Sequence, residues 1–209
     1  PLFRDFLLER LAARYSVDEV RNLRRQAAIR LAEVGQYEES IVQLRQAEDW
    51  TAMAGQIIAL APAVLGQGRL ATVDEWISAI PKHVLEGNPW LRFWHACSRL
   101  ARDPHDAHTM FEQVFEQFVA QKDQAGTFLA WTNVVRCIFF EWRGLPRLDA
   151  WIARFRSLHP EGTPYPSSEI EAQVAEAMAG ALVWRQPGNS ETKNWLDKAI
   201  SLTDRLTGS

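Results

Sequence analysis

This sequence of 209 residues is poor in the features that usually announce chemistry. It has only two cysteines, Cys97 and Cys137, far apart and without a C-x-x-C. That reads as a reduced, intracellular chain more than a disulfide framework. No long hydrophobic run is present. The longest uncharged stretch, Trp50 to Gly68, is interrupted by Gln56, Pro62 and Gln67 and falls short of a membrane span. No basic segment followed by an apolar one marks a secretion signal, no lipidation motif occurs, and a cytoplasmic location is expected. Neither sign of charge dominates: 23 Lys and Arg against 26 Asp and Glu give a net charge of −3. A global electrostatic drive toward nucleic acid or anionic lipid is therefore lacking. G-x-S-x-G, H-E-x-x-H, paired catalytic carboxylates and a Cys/His constellation are all missing, so no enzyme is expected. Sustained period-two alternation is nearly absent, which argues against strands.

What is present is a folding-competent composition, 47% hydrophobic and 23% charged, written with helical punctuation throughout. Ser16 and Glu19 form an S-x-x-E capping box ahead of a helix over about Val17 to Val34. Gly35 supplies a left-handed stop and Tyr37 to Ile41 opens the next helix, which makes a helical hairpin. Asn88-Pro89 and Asp103-Pro104 each pair a capping side chain with a proline at the first helical position. Ser168 and Glu171 predict another capping box, after a Pro-rich loop from His159 to Pro166 that cannot be helical and is the best candidate for a hinge or insertion. Turn signals fall at Gly35, Gly68, near Pro104, at Gly144 and at Gly188, a drifting repeat of 33 to 44 residues. Two of these turns carry similar text: Asp74-Glu75-Trp76-Ile77 and Asp149-Ala150-Trp151-Ile152 both sit on the second helix of a hairpin. The fold class expected is all-α, a tetratricopeptide-like α-solenoid of stacked hairpins forming a right-handed superhelix.

The segment Pro1 to Leu11 resembles the close of the winged-helix part of the ATPase module in MalT-like, LuxR-family ATP-dependent transcriptional regulators. Ala27-Ala28 through Gly35 to Ile41, Ala47 to Trp50, Leu65 to Trp76, Ile80-Pro81 and Pro89 to Leu91 resemble that family's helical region in order and spacing. The resemblance covers residues 1 to about 100; beyond that only a general likeness to helical repeats continues. It implies a fragment in which residues 1–15 are the tail of the winged helix and residues 16–209 a helical-repeat sensor arm. Its partners would be the chain's own ATPase module and a small-molecule inducer or regulatory protein, with DNA contacted only through a further C-terminal domain and no membrane. No G-x-x-x-x-G-K-[ST] and no helix-turn-helix is recognisable here. No cofactor is expected in this piece, ATP being implied for the upstream module alone. The alternative is a free-standing tetratricopeptide-like scaffold that binds peptides.

Several local patterns have both a sharp and a plain reading. Gly66-x-Gly68-x-x-Ala71 fits a dinucleotide fingerprint, but the residues before it follow helical spacing where a strand is required. His105 and His108 share a helical face and Asp103 and Asp106 could add carboxylates, yet no third metal ligand is fixed and capping accounts for the acids, so no metal is expected. His95 and Cys97 point apart on a helix, and a buried thiol is the better account. Arg21, Arg24, Arg25 and Arg30 read as the solvated side of an amphipathic helix, opposite Leu23, Ala27 and Leu31. Phe128, Trp131, Val135, Ile138 and Trp142 step by helical spacing and read as packing. The candidate ligand site is a stripe on what are expected to be successive first helices of hairpins, lining one concave wall. Arg92, His95, Arg99, Asn133 and Arg136 would there grip a carboxylate or phosphate. The alternative is that these arginines pair with acids such as Glu141 or Glu169.

Overall fold

A computed structural model describes residues 14–141, 144–160 and 162–207. Among the described residues it holds eleven helices and no strand, as the helical punctuation requires. The expected winged-helix tail, but for its last two residues, and Trp142 lie outside the described residues. The chain divides into two compact units, residues 1–95 and 96–209.

The first unit contains α1 (Val17–Glu33), α2 (Tyr37–Gln46), α3 (Trp50–Gly66), α4 (Leu70–Ser78), the single turn α5 (Lys82–Glu86) and most of α6 (Pro89–Arg99). The Ser16 box is present, with Ser16 Oγ accepting from the Glu19 N–H and the Glu19 carboxylate accepting from the Ser16 N–H at 2.8 Å. Gly35 and Gly68 end α1 and α3 at φ +78° and +77°, where any other L-residue is strained. The Gly66-x-Gly68 segment therefore closes one helix and opens another, in no strand context. Ile41, Met53, Ile57, Val73 and Ile77 form a dry seam along which α2, α3 and α4 pack in sequence order.

One expectation about α1 holds only in part. Arg21 binds Glu48, Arg24 binds Gln43 and Gln46, and Arg25 binds Asp49 at 2.9 Å, so these three reach the end of α2 and the turn after it, while Arg30 is solvent-exposed as expected and pairs with Glu33 of its own helix. Leu23 on the supposed buried side is 42% exposed. Glu48 and Asp49 explain the contacts of Arg21 and Arg25: Glu48 takes a left-handed turn position at φ 54°, and Asp49 caps α3 through the Ala52 N–H. The α2–α3 turn thereby presents acids that the arginines reach.

The second unit contains the end of α6, α7 (Pro104–Gln121), α8 (Gln124–Glu141), α9 (Arg147–Leu158), α10 (Ser168–Arg185) and α11 (Glu191–Thr207). α7 and α8 are joined by a two-residue turn, α8 packs on α7, α9 and α10, and α11 packs on α10. α8 and α10, covered on several sides, are apolar almost all round, including the fully buried Trp131, Val134, Val135 and Ile138 of α8. The expected stripe Phe128, Trp131, Val135 and Ile138 is core. Gly126 lets Phe118 lie against the α8 backbone, since a Cβ there would sit 2.4 Å from the ring. The capping residue of α10 is Ser167, not the expected Ser168: Ser167 is extended and accepts from the Ile170 N–H at 3.3 Å. Glu171 then lies a position beyond the box and binds Lys198 instead, at 2.7 Å.

The two Asp-x-Trp-Ile texts occupy corresponding places. Each lies on the helix that follows a left-handed glycine, α4 after Gly68 and α9 after Gly144, and each buries its isoleucine, Ile77 and Ile152. Each aspartate reaches a later helix of its own unit, Asp74 to His95 at 3.0 Å and Asp149 to Arg185 at 2.6 Å.

Candidate functional site

The residues of the expected basic stripe fall in different units. Arg92 and His95 belong to the first, and Arg99, Asn133 and Arg136 to the second. Arg92 is half-buried. His95, 7% exposed, is bonded to Asp74 through Nε2. Arg99 donates to Asp106 at 3.3 Å, and Arg136 to Glu176 at 3.0 Å. Asn133 is buried, and its side-chain amide donates back to the Leu129 carbonyl at 2.8 Å. The acids that pair these arginines are thus Asp106 and Glu176, neither Glu141 nor Glu169.

Glu141 has another task. His108, 3% exposed, places Nδ1 3.2 Å from Glu141 and Nε2 3.5 Å from Glu112, and the exposed His105 lies 3.6 Å from the same Glu141 oxygen. Asp103 caps α7 by accepting from the Asp106 N–H. Among the described residues no group of three or more His, Cys, Asp or Glu side chains is placed to hold a metal ion. Both thiols are held protonated by burial. Cys137 is pushed up to about 12 and Cys97 is raised further, the neighbouring Cys137 adding to the effect.

The second unit contains a cleft of about 830 Å³, between α9, the loop after it, α10 and α11. That loop is the Pro-rich segment expected as a hinge or insertion, and Gly162, Thr163, Pro164 and Tyr165 form one wall. Gly162 has φ +83°, a left-handed position within the bend. The wall is aromatic. His159 stands 4.3 Å from the Tyr165 ring, packs edge-on against Phe128 at 4.9 Å, and lies beside Phe155 at 5.5 Å. Trp195 from α11 meets Phe155 edge-on at 6.2 Å. Burial raises the Tyr165 phenol to about 12, so it stays a neutral donor.

Over these rings sits a cation. Lys198 Nζ lies 4.8 Å from the Tyr165 centroid and 5.3 Å from that of Trp195, and the Glu171 carboxylate neutralises it. A second, more exposed ion pair joins Arg156 to Glu191 at 2.8 Å. His159 is 8% exposed, and its buried Nδ1 has no hydrogen-bond partner. Burial first and Lys198 second hold its pKa below the usual histidine value, so the ring is neutral. A buried ring nitrogen without a partner is thus part of the wall of a large cleft. The sequence pointed to the loop but not to the site, because Arg156, Glu191, Trp195 and Lys198 reach it from helices on either side.

Compared with known protein families, with characterised proteins and with solved structures, the chain matches none. Among the described residues, no helix is long and apolar enough to cross a membrane.

Proposed function

We propose that this chain is the helical-repeat sensor and interaction segment of a MalT-like, LuxR-family, ATP-dependent transcriptional regulator working in the cytoplasm. In this reading the second unit takes up an inducer and does no chemistry. The regulator assignment rests on the linked motifs of residues 1 to about 100. The observation that carries the sensor role is the aromatic cleft, with two closed ion pairs at its sides and the unpaired His159 Nδ1 in its wall. A site of this size, apolar along one side with a few fixed polar groups, suits a small ligand. Thiols kept protonated and charges already paired favour binding over catalysis. The ligand acts by population shift: whichever arrangement of loop, α10 and α11 it binds better becomes dominant, and contact with the ATPase module changes accordingly.

The test is the coding frame from which the chain derives. A phosphate loop encoded upstream and a helix-turn-helix downstream are expected. A native start codon near residue 1 with neither module would overturn the regulator assignment in favour of a free-standing scaffold.

A further inference from the structure

The charges lining the cleft come in opposite pairs. Lys198 with Glu171 and Arg156 with Glu191 contribute two cations and two anions, so the site has no net attraction for an ion of either sign. The two pairs differ in how firmly they are held. Lys198 is fixed by its carboxylate and by two aromatic faces, with side-chain exposures of 36% for Lys198 and 29% for Glu171. Arg156 and Glu191 have no ring against them in the cleft and are 43% and 51% exposed. The Arg156–Glu191 pair is therefore the one that can open at little cost, since exposed ion pairs contribute roughly 0–1 kcal/mol.

We propose that the cleft binds an α-amino acid with an aromatic side chain, as a zwitterion. Opening the Arg156–Glu191 contact leaves a guanidinium and a carboxylate side by side. A free α-amino acid carries the complementary pair, ammonium and carboxylate separated by one carbon. The planar guanidinium receives the ligand carboxylate through two parallel N–H donors, and Glu191 accepts from the ligand ammonium. One ion pair is exchanged for two, and no charge is left unmatched. The ligand ring packs beside Tyr165 and Trp195, rings that stand tilted and edge-on to their neighbours Phe128 and Phe155. Lys198 stays over the Tyr165 and Trp195 rings, paired with Glu171. A simple carboxylate would leave Glu191 facing it unpaired, and a simple amine would do the same to Arg156, which is the basis for discrimination.

This inference rests on the reading of the cleft as the ligand site, and the experiment separates the two. Isothermal titration of the intact chain is carried out with tryptophan, phenylalanine and tyrosine, and with tryptamine and indole-3-propionate, which keep the ring and lose one charge each. The amino acids are expected to bind, and each analogue to bind weaker by about tenfold or more. Arg156→Met and Glu191→Gln are expected to remove that preference, and Trp195→Ala to remove binding, with helical content and melting temperature recorded for each variant. Analogues that bind as well as the amino acids, a preference unchanged in Arg156→Met and Glu191→Gln, or no heat with any amino acid up to millimolar concentration would each overturn the proposal. A neutral oligosaccharide that binds the wild type but not Trp195→Ala would overturn the amino acid assignment alone and leave the cleft as the ligand site.

Discussion

Asp149 and Arg185 meet in a forked contact: Arg185 donates from Nε at 3.1 Å and from Nη2 at 2.6 Å to one carboxylate oxygen of Asp149. Gln186 donates to the other oxygen at 3.3 Å. The carboxylate ties the start of α9 to the end of α10, the two helices that flank the cleft loop. The hydrogen bond from Arg185 holds the Asp149 carboxyl below its usual range. A lowered carboxylate pKa means that the stabilisation is fully present above the unfolded value of about 3.9 and is lost as pH falls through the lower folded value. Asp149→Asn is therefore expected to melt below the wild type at neutral pH, with the gap narrowing below about pH 4. Thermal melts at pH 3, 5 and 7 check this; a gap independent of pH would mean that the contact is not ionic.

Gly126 and Phe118 fit one another without slack. Replacing Gly126 with Ala puts a Cβ 2.4–2.5 Å from the fully buried Phe118 ring, and overpacking of this kind costs about 1–3 kcal/mol. Gly55, exposed within α3, has nothing within 4 Å of its would-be Cβ, and Gly55→Ala is expected to stabilise by about 0.5–1 kcal/mol. Urea unfolding of the two variants should give shifts of opposite sign.

The α7–α8 turn supplies a complementary test of backbone strain. Lys122 is exposed and left-handed at φ 57°, in a position usually taken by glycine. Lys122→Gly is expected to raise stability by about 0.5–1 kcal/mol, while Gly68→Ala, at φ +77°, lowers it by about 1–2 kcal/mol. Equal effects in thermal melts would show that neither turn is under the stated strain.

These turns also mark what the sequence could and could not reveal. The Ser16 box, the Asn88 and Asp103 caps and the stops at Gly35, Gly68 and Gly144 were legible because each depends on a residue type acting within a few positions of itself. The turns at Glu48 and Lys122 carry no glycine and gave no such signal. At Ser168 the S-x-x-E spacing to Glu171 misleads, because the adjacent Ser167 can cap equally well and only its extended backbone decides. The contacts of Arg21, Arg24 and Arg25 escape the sequence for a longer-range reason: helical periodicity separates two faces but does not say what a distant acidic turn will reach. The cleft shows the same limit. Its Pro-rich wall stood out as non-helical text, whereas Trp195 and Lys198 lie on a helix some thirty residues later and join it only through packing.

Cys97 and Cys137 are expected to resist modification in the folded chain. With Cys137 at about 12 and Cys97 higher, the thiolate fraction at pH 8 is small, and the thiolate is the reacting form. A chromogenic disulfide reagent should label neither thiol on the timescale on which it labels both in 6 M guanidinium. Prompt labelling under native conditions would show that the α6 and α8 thiols are open to solvent.

His159 gives the second unit a pH limit of its own. The ring is packed against Phe128 and Tyr165, its Nδ1 is buried without a partner, and burial together with Lys198 lowers its pKa, with Glu171 opposing. In the unfolded chain the imidazole takes a proton near pH 6.5, and in the folded chain only at lower pH. The unfolded state therefore binds more protons between those values, and stability falls as pH drops from about 6.5 toward the folded pKa. His159→Phe, which keeps the ring and removes the titration, is expected to flatten the stability profile over that interval and to leave melting at pH 8 close to the wild type. A ligand that hydrogen-bonds the neutral imidazole would lower the folded pKa further, so adding it should steepen the wild-type decline and leave the His159→Phe profile flat. Melting curves from pH 5 to pH 8, with and without tryptophan, separate these cases, and an unchanged wild-type slope would show that the ligand leaves His159 untouched.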